Sequence, residues 1–368
     1  MSLINEEYYY FCAMNKEKGN NRSKVLLGMS GGTDSSIAAI MLQEQGYEVT
    51  GITFRFFEKD GQTDYLKSAR HLADQLGIAH ITYDVRKEFE SRIIRYFIDS
   101  YMQGETPVPC TLCNNFFKWP LMAQVADQMG IEYIASGHYI QRVVHEGRYY
   151  IRPGIDPDKD QSFFMWGLSQ ELMKRMVLPL GEMIKEEVRA YARARGYAAQ
   201  AAKKESIGVC FCPGDYRSFL RERLPEEKFQ AGHFVDIAGR IIGKHPGYAF
   251  FTIGQRRGLG VHFNQALYVQ HIDVRTNEVT LAPLKELERM HFLVRDWSVR
   301  CLEELLSISH VEVRIRYRKQ WNTGHVLVLP ENDGKLLVQL DQPLTAVAPG
   351  QAVAFYYDNR VIGGGIIC

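Results

Sequence analysis

Nowhere does this sequence hold an apolar run approaching the ~20 residues that a membrane-spanning helix needs, and its N-terminus lacks a signal-peptide pattern. The expectation is a cytoplasmic protein without a membrane partner. Neither sign of charge is in excess: the formal net charge is +1, so any contact with nucleic acid must rest on local patches. There is no internal repeat and no low-complexity segment. Two familiar phosphate-binding signatures are also missing, the Gly-x-Gly-x-x-Gly dinucleotide fingerprint and the Gly-Lys-Ser/Thr end of the ATPase P-loop. The 368 residues exceed one compact core and imply two or three domains, at an ordinary hydrophobic content of 46%. In a reducing compartment the seven cysteines read as reactive thiols or metal ligands before structural disulfides.

What is present centres on Val25 to Ser36, VLLGMSGGTDSS. Val25, Leu26 and Leu27 form a short buried-strand run, and Ile37, Ile40 and Met41 recur at helical spacing. Between them, Gly31 and Gly32 let the backbone turn sharply and bring N–H groups close to an anion, where the following helix N-terminus adds partial positive charge. Ser30, Thr33 and Ser35 supply hydroxyls, and Asp34 can cap the helix or hold a Mg²⁺.

Further along, Glu48 to Phe54 reads as a strand, Tyr65 to Leu76 as an amphipathic helix stopped by Gly77, and Ile78 to Val85 as a third strand. Phe89 to Ile98 reads as a helix and Ile131 to Ala135 as another strand. This alternation implies an α/β parallel sheet with helices on both faces. Ligands bind such sheets at the strands' carboxyl ends. The Ser30 to Ser35 turn, Phe54 and the Ser136-Gly137-His138 turn therefore share one edge.

Gly104 to Pro120 interrupts the pattern with three prolines and two cysteines. It reads as a rigid loop before a helix starting near Asn114, which places Cys113 in the positive field just ahead of that helix. Helical patterns at Gln170 to Val177 and Met183 to Arg195 precede KKESIGVCFCP, Lys203 to Pro213. From Gly232 onward short apolar segments and glycine turns predict β-structure ending in a small barrel. Val311, Val313, Ile315 and Tyr317 alternate with Glu312, Arg314, Arg316 and Arg318, so one strand face carries three arginines, either as a phosphate-contacting row or as a solvated face.

Cys110-x-x-Cys113 and Cys210-x-Cys212 leave two readings open. Four thiolates can bind zinc or an iron–sulfur cluster, although Cys-x-Cys is tighter than the usual zinc pair. Alternatively, one cysteine of each pair does sulfur chemistry, activated by Lys203, Lys204 or the helix after Cys113.

SGGTDS after an apolar strand resembles the signature of the PP-loop ATP pyrophosphatases. Together with PCTLCN, ASGHY, DKDQS, GVCF, TIGQRRGLG, RYR at Arg316 to Arg318, APGQAVAFY and GGGII, the chain resembles the tRNA-specific 2-thiouridylase family from residue 24 to 367. That resemblance implies an N-terminal extension at 1–23, a PP-loop ATP-binding catalytic domain at 24–205, a central domain at 206–285 and a tRNA-contacting β-barrel at 286–368.

It also implies ATP- and Mg²⁺-dependent 2-thiolation of the wobble uridine of tRNA, by adenylation of the uracil C2 oxygen and sulfur transfer from a cysteine persulfide loaded by a donor protein. ATP would be held by Gly28, Met29, Ser30, Gly31, Gly32, Thr33, Asp34, Ser35, Phe54 and Gly137. Cys113 would be the nucleophile and Cys210 the persulfide carrier. Val108, Pro109, Cys110, His138, Lys159, Asp160, Gln161, Arg316, Tyr317, Arg318 and Gln351 would contact tRNA, with the target base flipped out of the anticodon stack. The chain departs from the family pattern at Val108-Pro109-Cys110, where relatives carry Asn-Pro-Asp, and in the extra thiol of Cys212.

Overall fold

The computed structural model describes residues 22–58, 61, 63–202, 208–261, 264–317, 321–328 and 334–368. Two compact units comprise the described residues within 1–85, 118–161 and 169–205, and those within 86–117, 162–168 and 206–368. Among the described residues, no helix is long and apolar enough to cross a membrane.

The first unit is built on a parallel sheet of five strands: β1 (Lys24–Gly28), β2 (Glu48–Arg55), β3 (Ala79–Asp84), β4 (Tyr133–Ser136) and the two-residue β7 (Met176–Val177). Their spatial order is β3-β2-β1-β4-β7. Val25, Leu26 and Leu27 are wholly buried, as a central strand covered on both faces requires. Register pairs Gly28 with Ile52 on one side and Ser136 on the other, so the carboxyl ends of β1, β2 and β4 lie side by side. The helix after β2, Asp64–Leu76, ends at Gly77 in the left-handed conformation, where the sequence places its stop. Met176 and Val177, expected to continue the preceding helix, instead pair with β4, and that helix ends at Arg175. A hairpin of β5 (Ile140–His145) and β6 (Arg148–Pro153) follows β4.

In the second unit, a four-stranded sheet holds β8 (Gly232–Val235), β9 (Ile241–His245), β10 (Tyr268–Asp273) and β11 (Glu278–Ala282) in the order β10-β11-β8-β9. A six-stranded antiparallel barrel follows: β12 (Glu288–Val299), β13 (Val311–Arg314), β14 (Trp321–Val328), β15 (Leu336–Thr345), β16 (Ala352–Tyr357) and β17 (Arg360–Ile367). Pairing runs β12-β15-β14-β13-β16-β17, and β17 closes back on β12. Closure leaves no open sheet edge.

Helix formation begins at Pro109 rather than near Asn114: Pro109–Cys113 is helical and runs directly into a π-turn at Asn114–Lys118. Proline at the first helical position gives up an N–H that has no intrahelical partner anyway, so Pro109 starts the helix and does not extend a loop. The first-turn cysteine is thus Cys110, and Cys113 sits at the fifth residue, beyond the strongest part of the N-terminal field.

β13 ends at Arg314, whose side chain is buried and lies 3.8 Å over the Tyr356 ring while bonding Glu312. Arg314 is therefore turned away from the solvent face and does not join Arg316 in an exposed row. Arg316 is half-buried, its Nη2 donating to the Ala346 carbonyl at 3.2 Å, and burial pulls its pKa down.

Candidate nucleotide turn and thiol sites

The turn between β1 and the helix Thr33–Glu44 is held by its own hydroxyls. The Ser30 N–H donates to Ser35 Oγ at 3.2 Å, and the Ser36 hydroxyl donates to the Gly32 carbonyl at 2.7 Å. Gly31 has φ +72°, a conformation that glycine adopts without strain, and Gly32 is the N-cap. The first-turn N–H groups of Thr33, Asp34 and Ser35 have no carbonyl four residues back and point along the helix axis, as anion binding requires.

Other members of the expected set have different roles. Met29 is buried, its N–H donating to Ile52 and its carbonyl accepting from the Thr53 hydroxyl, so it joins the turn to β2. Thr33 Oγ1 donates to the Gln200 carbonyl at 2.5 Å. Phe54 is buried and stacked on Phe56 at 5.4 Å.

Gly137 packs directly on the turn. A Cβ there would stand 2.7 Å from the Asp34 carbonyl carbon and 2.8 Å from the Ser35 nitrogen. Only glycine permits this approach, which is why a residue 100 positions away in the sequence belongs to the same site.

Asp34 is engaged by residues that sequence reasoning did not single out. Lys185 Nζ lies 2.6 Å from Asp34 Oδ1, and the Tyr139 hydroxyl donates to the same oxygen at 2.8 Å. Lys185 is 5% exposed. It opens the helix Lys185–Ala194, whose start is fixed by buried Asp156 accepting the Lys185 N–H at 2.9 Å and by Glu187 accepting the Ile184 N–H at 3.0 Å. Tyr139 stood within the ASGHY motif, but nothing in the spacing of Lys185 marks it. It meets Asp34 across 151 residues of chain.

The next turn holds His138 between two donors and acceptors of its own unit. Nε2 lies 3.2 Å from Lys118 Nζ, and Nδ1 lies 2.6 Å from Ser136 Oγ. An ammonium only donates, so Nε2 accepts and Nδ1–H donates to Ser136, which defines one neutral tautomer. Burial and the Lys118 charge hold the imidazole well below its usual pKa, in agreement with that form. Both ring nitrogens are thus engaged within the chain. Gln161 accepts the Tyr139 N–H at 3.0 Å while its own N–H donates to the Tyr139 carbonyl, and Asp160 accepts from the Gly154 N–H at 3.3 Å. These two side chains brace the turns, and Lys159 lies half-buried beside them.

The four thiols belong to the second unit, and they are unequal. Val209 to Cys212 is a tight turn closed by the Cys212 N–H on the Val209 carbonyl at 2.9 Å. Phe211 at its tip is buried among Phe89, Phe97 and Phe219, with ring centroids 5.8, 5.2 and 5.5 Å away. Anchoring Phe211 inward leaves Cys210 exposed and Cys212 buried. Phe89 also meets Phe117, four residues beyond Cys113, at 5.9 Å, so one aromatic ring supports both the Cys210 turn and the helical segment that carries Cys113. Cys110 and Cys113 are both half-buried. Val108 caps that segment, its carbonyl accepting the Thr111 hydroxyl at 2.8 Å. Among the described residues, no three of the four thiols lie within 4.8 Å of one another, so the arrangement of a four-thiol metal centre is not present there.

Tyr317 lies at the surface against Phe164, ring centroids 5.0 Å apart, and Gln351 has a buried amide oxygen. Arg318, Lys203 and Lys204 fall outside the described residues.

The tRNA methyl transferase HUP domain family matches residues 23–214, the tRNA methyl transferase PRC-barrel domain 217–283 and the aminomethyltransferase β-barrel domain 289–367. A tRNA-specific 2-thiouridylase of Bacteroides fragilis, MnmA 1, is 56% identical over 354 residues, covering 94% of this chain and 97% of that protein. MnmA 2 of Phocaeicola vulgatus is 54% identical, covering 96% and 100%. The enzyme of Cytophaga hutchinsonii is 38% identical, covering 95% and 98%. With relatives aligned over nearly the whole of both chains at this identity, the chain belongs to the tRNA-specific 2-thiouridylase family.

Proposed function

We propose that this protein converts the wobble uridine of tRNA to 2-thiouridine, activating the uracil C2 oxygen with ATP and delivering sulfur from a persulfide on Cys210. Family membership supports the substrate and product. The observation that carries the sulfur chemistry is the inequality of the thiols: Cys210 is exposed on a turn whose tip is anchored by Phe211, while Cys212 is buried.

The turn's geometry fits a phosphate chain, with Gly31 in the left-handed conformation, Gly32 at the N-cap and first-turn N–H groups aligned on the helix axis. Gly28 to Ser35 would hold ATP, whose chemistry is to make a carbonyl oxygen into a leaving group. Asp34 does not fit a Mg²⁺ site as arranged. Its Oδ1 is occupied by the Lys185 ammonium and the Tyr139 hydroxyl, so carboxylate and cation form a neutral pair.

On the thiol side, a donor protein carrying a persulfide loads the exposed Cys210. The terminal persulfide sulfur attacks C2, forming the C–S bond as the activated oxygen departs. The Cys113 thiolate then attacks the Cys210 sulfur, breaking the S–S bond to the delivered sulfur, which remains on the base. A Cys113–Cys210 disulfide is left, and a cellular thiol reductant returns two electrons to reset it. Contacts to tRNA fall to Lys159, Tyr317, Arg318 and the Val108-Pro109-Cys110 start of the helix, with His138, Asp160 and Gln161 acting mainly to hold the turns.

The test is thiolation of a tRNA transcript with ATP and a persulfide donor, read alongside pyrophosphate release and bound metal. Cys113→Ser and Cys210→Ser should abolish thiolation while pyrophosphate release survives. Cys110→Ser and Cys212→Ser should keep part of the activity. Equal loss in all four variants, with stoichiometric metal in the unmodified protein, would instead favour a cluster enzyme.

A further inference from the structure

Away from the residues given to thiolation, the barrel brings together three side chains with metal-ligating atoms. His310 immediately precedes β13, His325 lies on β14 and Asp341 on β15. Register pairs Val311 with Gly324 and Gly324 with Leu340. One step further along these antiparallel ladders sets His310 beside His325 and Thr323 beside Asp341. Val311, Val326 and Leu340, the sequence neighbours of the three, are buried, so period two turns the three toward the outer surface. Their ligand atoms all lie within 4.8 Å of one another.

The group is also held in place. His310 Nδ1 stands 2.9 Å from Asp341 Oδ2, the two imidazole rings are 5.4 Å apart, and the Thr323 hydroxyl donates to the same carboxylate oxygen. That hydroxyl acts as outer-sphere partners do in metal sites, fixing the orientation of a ligating carboxylate. Tetrahedral bonds of ~2.0–2.2 Å place ligand atoms roughly 3.4 Å apart, so the His310–Asp341 contact must open by only about half an ångström. Exposed side-chain rotation covers the rest. Two imidazoles and one carboxylate select zinc- or nickel-type ions, since calcium and magnesium favour all-oxygen shells.

We propose that His310, His325 and Asp341 bind one divalent transition-metal ion on the outer face of the barrel, with water completing its coordination, and that the ion clamps β13, β14 and β15 together. The site is independent of the thiolation chemistry.

Calorimetric titration of the full chain with Ni²⁺ tests it, with near-UV absorption recorded to detect thiolate ligation. One equivalent should bind with micromolar affinity and without a sulfur-to-metal band. His310→Ala and His325→Ala should each weaken that binding at least ~tenfold, while His271→Ala, exposed on β10, should leave it unchanged. As a second reading, saturating Ni²⁺ should raise the thermal midpoint of the parent but not of His325→Ala. Unchanged affinity in both histidine variants, a thiolate band accompanying the single equivalent, or no midpoint shift in the parent would overturn the proposal.

Discussion

Replacing Gly137 by alanine tests whether the nucleotide turn depends on the close approach of a second turn. The new Cβ would lie 2.7 Å from the Asp34 carbonyl carbon, 2.8 Å from the Ser35 nitrogen and 2.9 Å from the Asp34 oxygen. Ordinary contact begins near 3.4 Å, so the two turns must separate by about 0.7 Å, and every obstructing atom is backbone. Neither turn can yield alone, because Gly28 and Ser136, which lead into them, are paired across β1 and β4. Overpacking of this kind costs about 1–3 kcal/mol, and a displacement approaching 1 Å at a reacting centre costs up to ~10²-fold in rate. Gly137→Ala is therefore expected to lower kcat/KM for ATP by roughly 10- to 100-fold and the melting temperature by about 2–10 °C. Pyrophosphate release in the presence of tRNA and scanning calorimetry measure the two effects. Gly28→Ala is the steric contrast: its Cβ meets Met122 Sδ at 3.5 Å, an ordinary contact, and its melting temperature should stay near that of the parent. Parent-like kinetics and stability in Gly137→Ala would refute the argument.

Asp34→Ala removes the carboxylate paired with the buried Lys185 ammonium and should cost about 3 kcal/mol in urea unfolding, the low end for a broken buried pair because the Asp34 side chain is 35% exposed. Adding Lys185→Met should recover much of that stability without restoring pyrophosphate release. Arg314→Ala should destabilise the barrel by about 1–3 kcal/mol and leave the salt dependence of tRNA binding unchanged, whereas Arg318→Ala should make the slope of log K against log salt shallower by up to ~0.9. A shallower slope in Arg314→Ala would show that the buried guanidinium reaches phosphate. Acidification should also weaken the fold. Burial lowers the pKa of His245 from 6.5 to about 4, and its Nδ1 accepts the Gly247 N–H. Between those values the unfolded chain binds a proton that the folded chain does not, so stability falls as pH drops from 6.5 toward 4, by about 3 kcal/mol in full. His138 and His80 are shifted in the same direction. Urea midpoints across that range should slope less steeply in His245→Asn, and an identical slope would rule this histidine out.

The sequence by itself determined the strand-turn-helix around Ser30 to Ser35, because three adjacent apolar residues, paired glycines and a helical apolar period all act within the seventeen positions from Val25 to Met41. It likewise determined the alternating first unit and the terminal barrel, since period and turn chemistry are local signals. Its errors were local as well. Pro109, in a stretch with two further prolines, read as loop although it starts a helix, and the alternation through Arg318 read as one strand although β13 stops at Arg314.

What only the tertiary structure decided depends on contacts between residues far apart in the chain. Lys185 reaches Asp34 across 151 residues because Asp156 and Glu187 set where its helix begins. Cys210 and Cys212 are equivalent to any reading of spacing. They become exposed and buried only because Phe211 is drawn into a cluster with Phe89 and Phe97, more than a hundred residues earlier. His310, His325 and Asp341 carry no motif at all and meet through strand register. Local propensity acts over a few residues and selects each element, whereas the packing of those elements decides which side chains share a site and what charge, burial and exposure each receives.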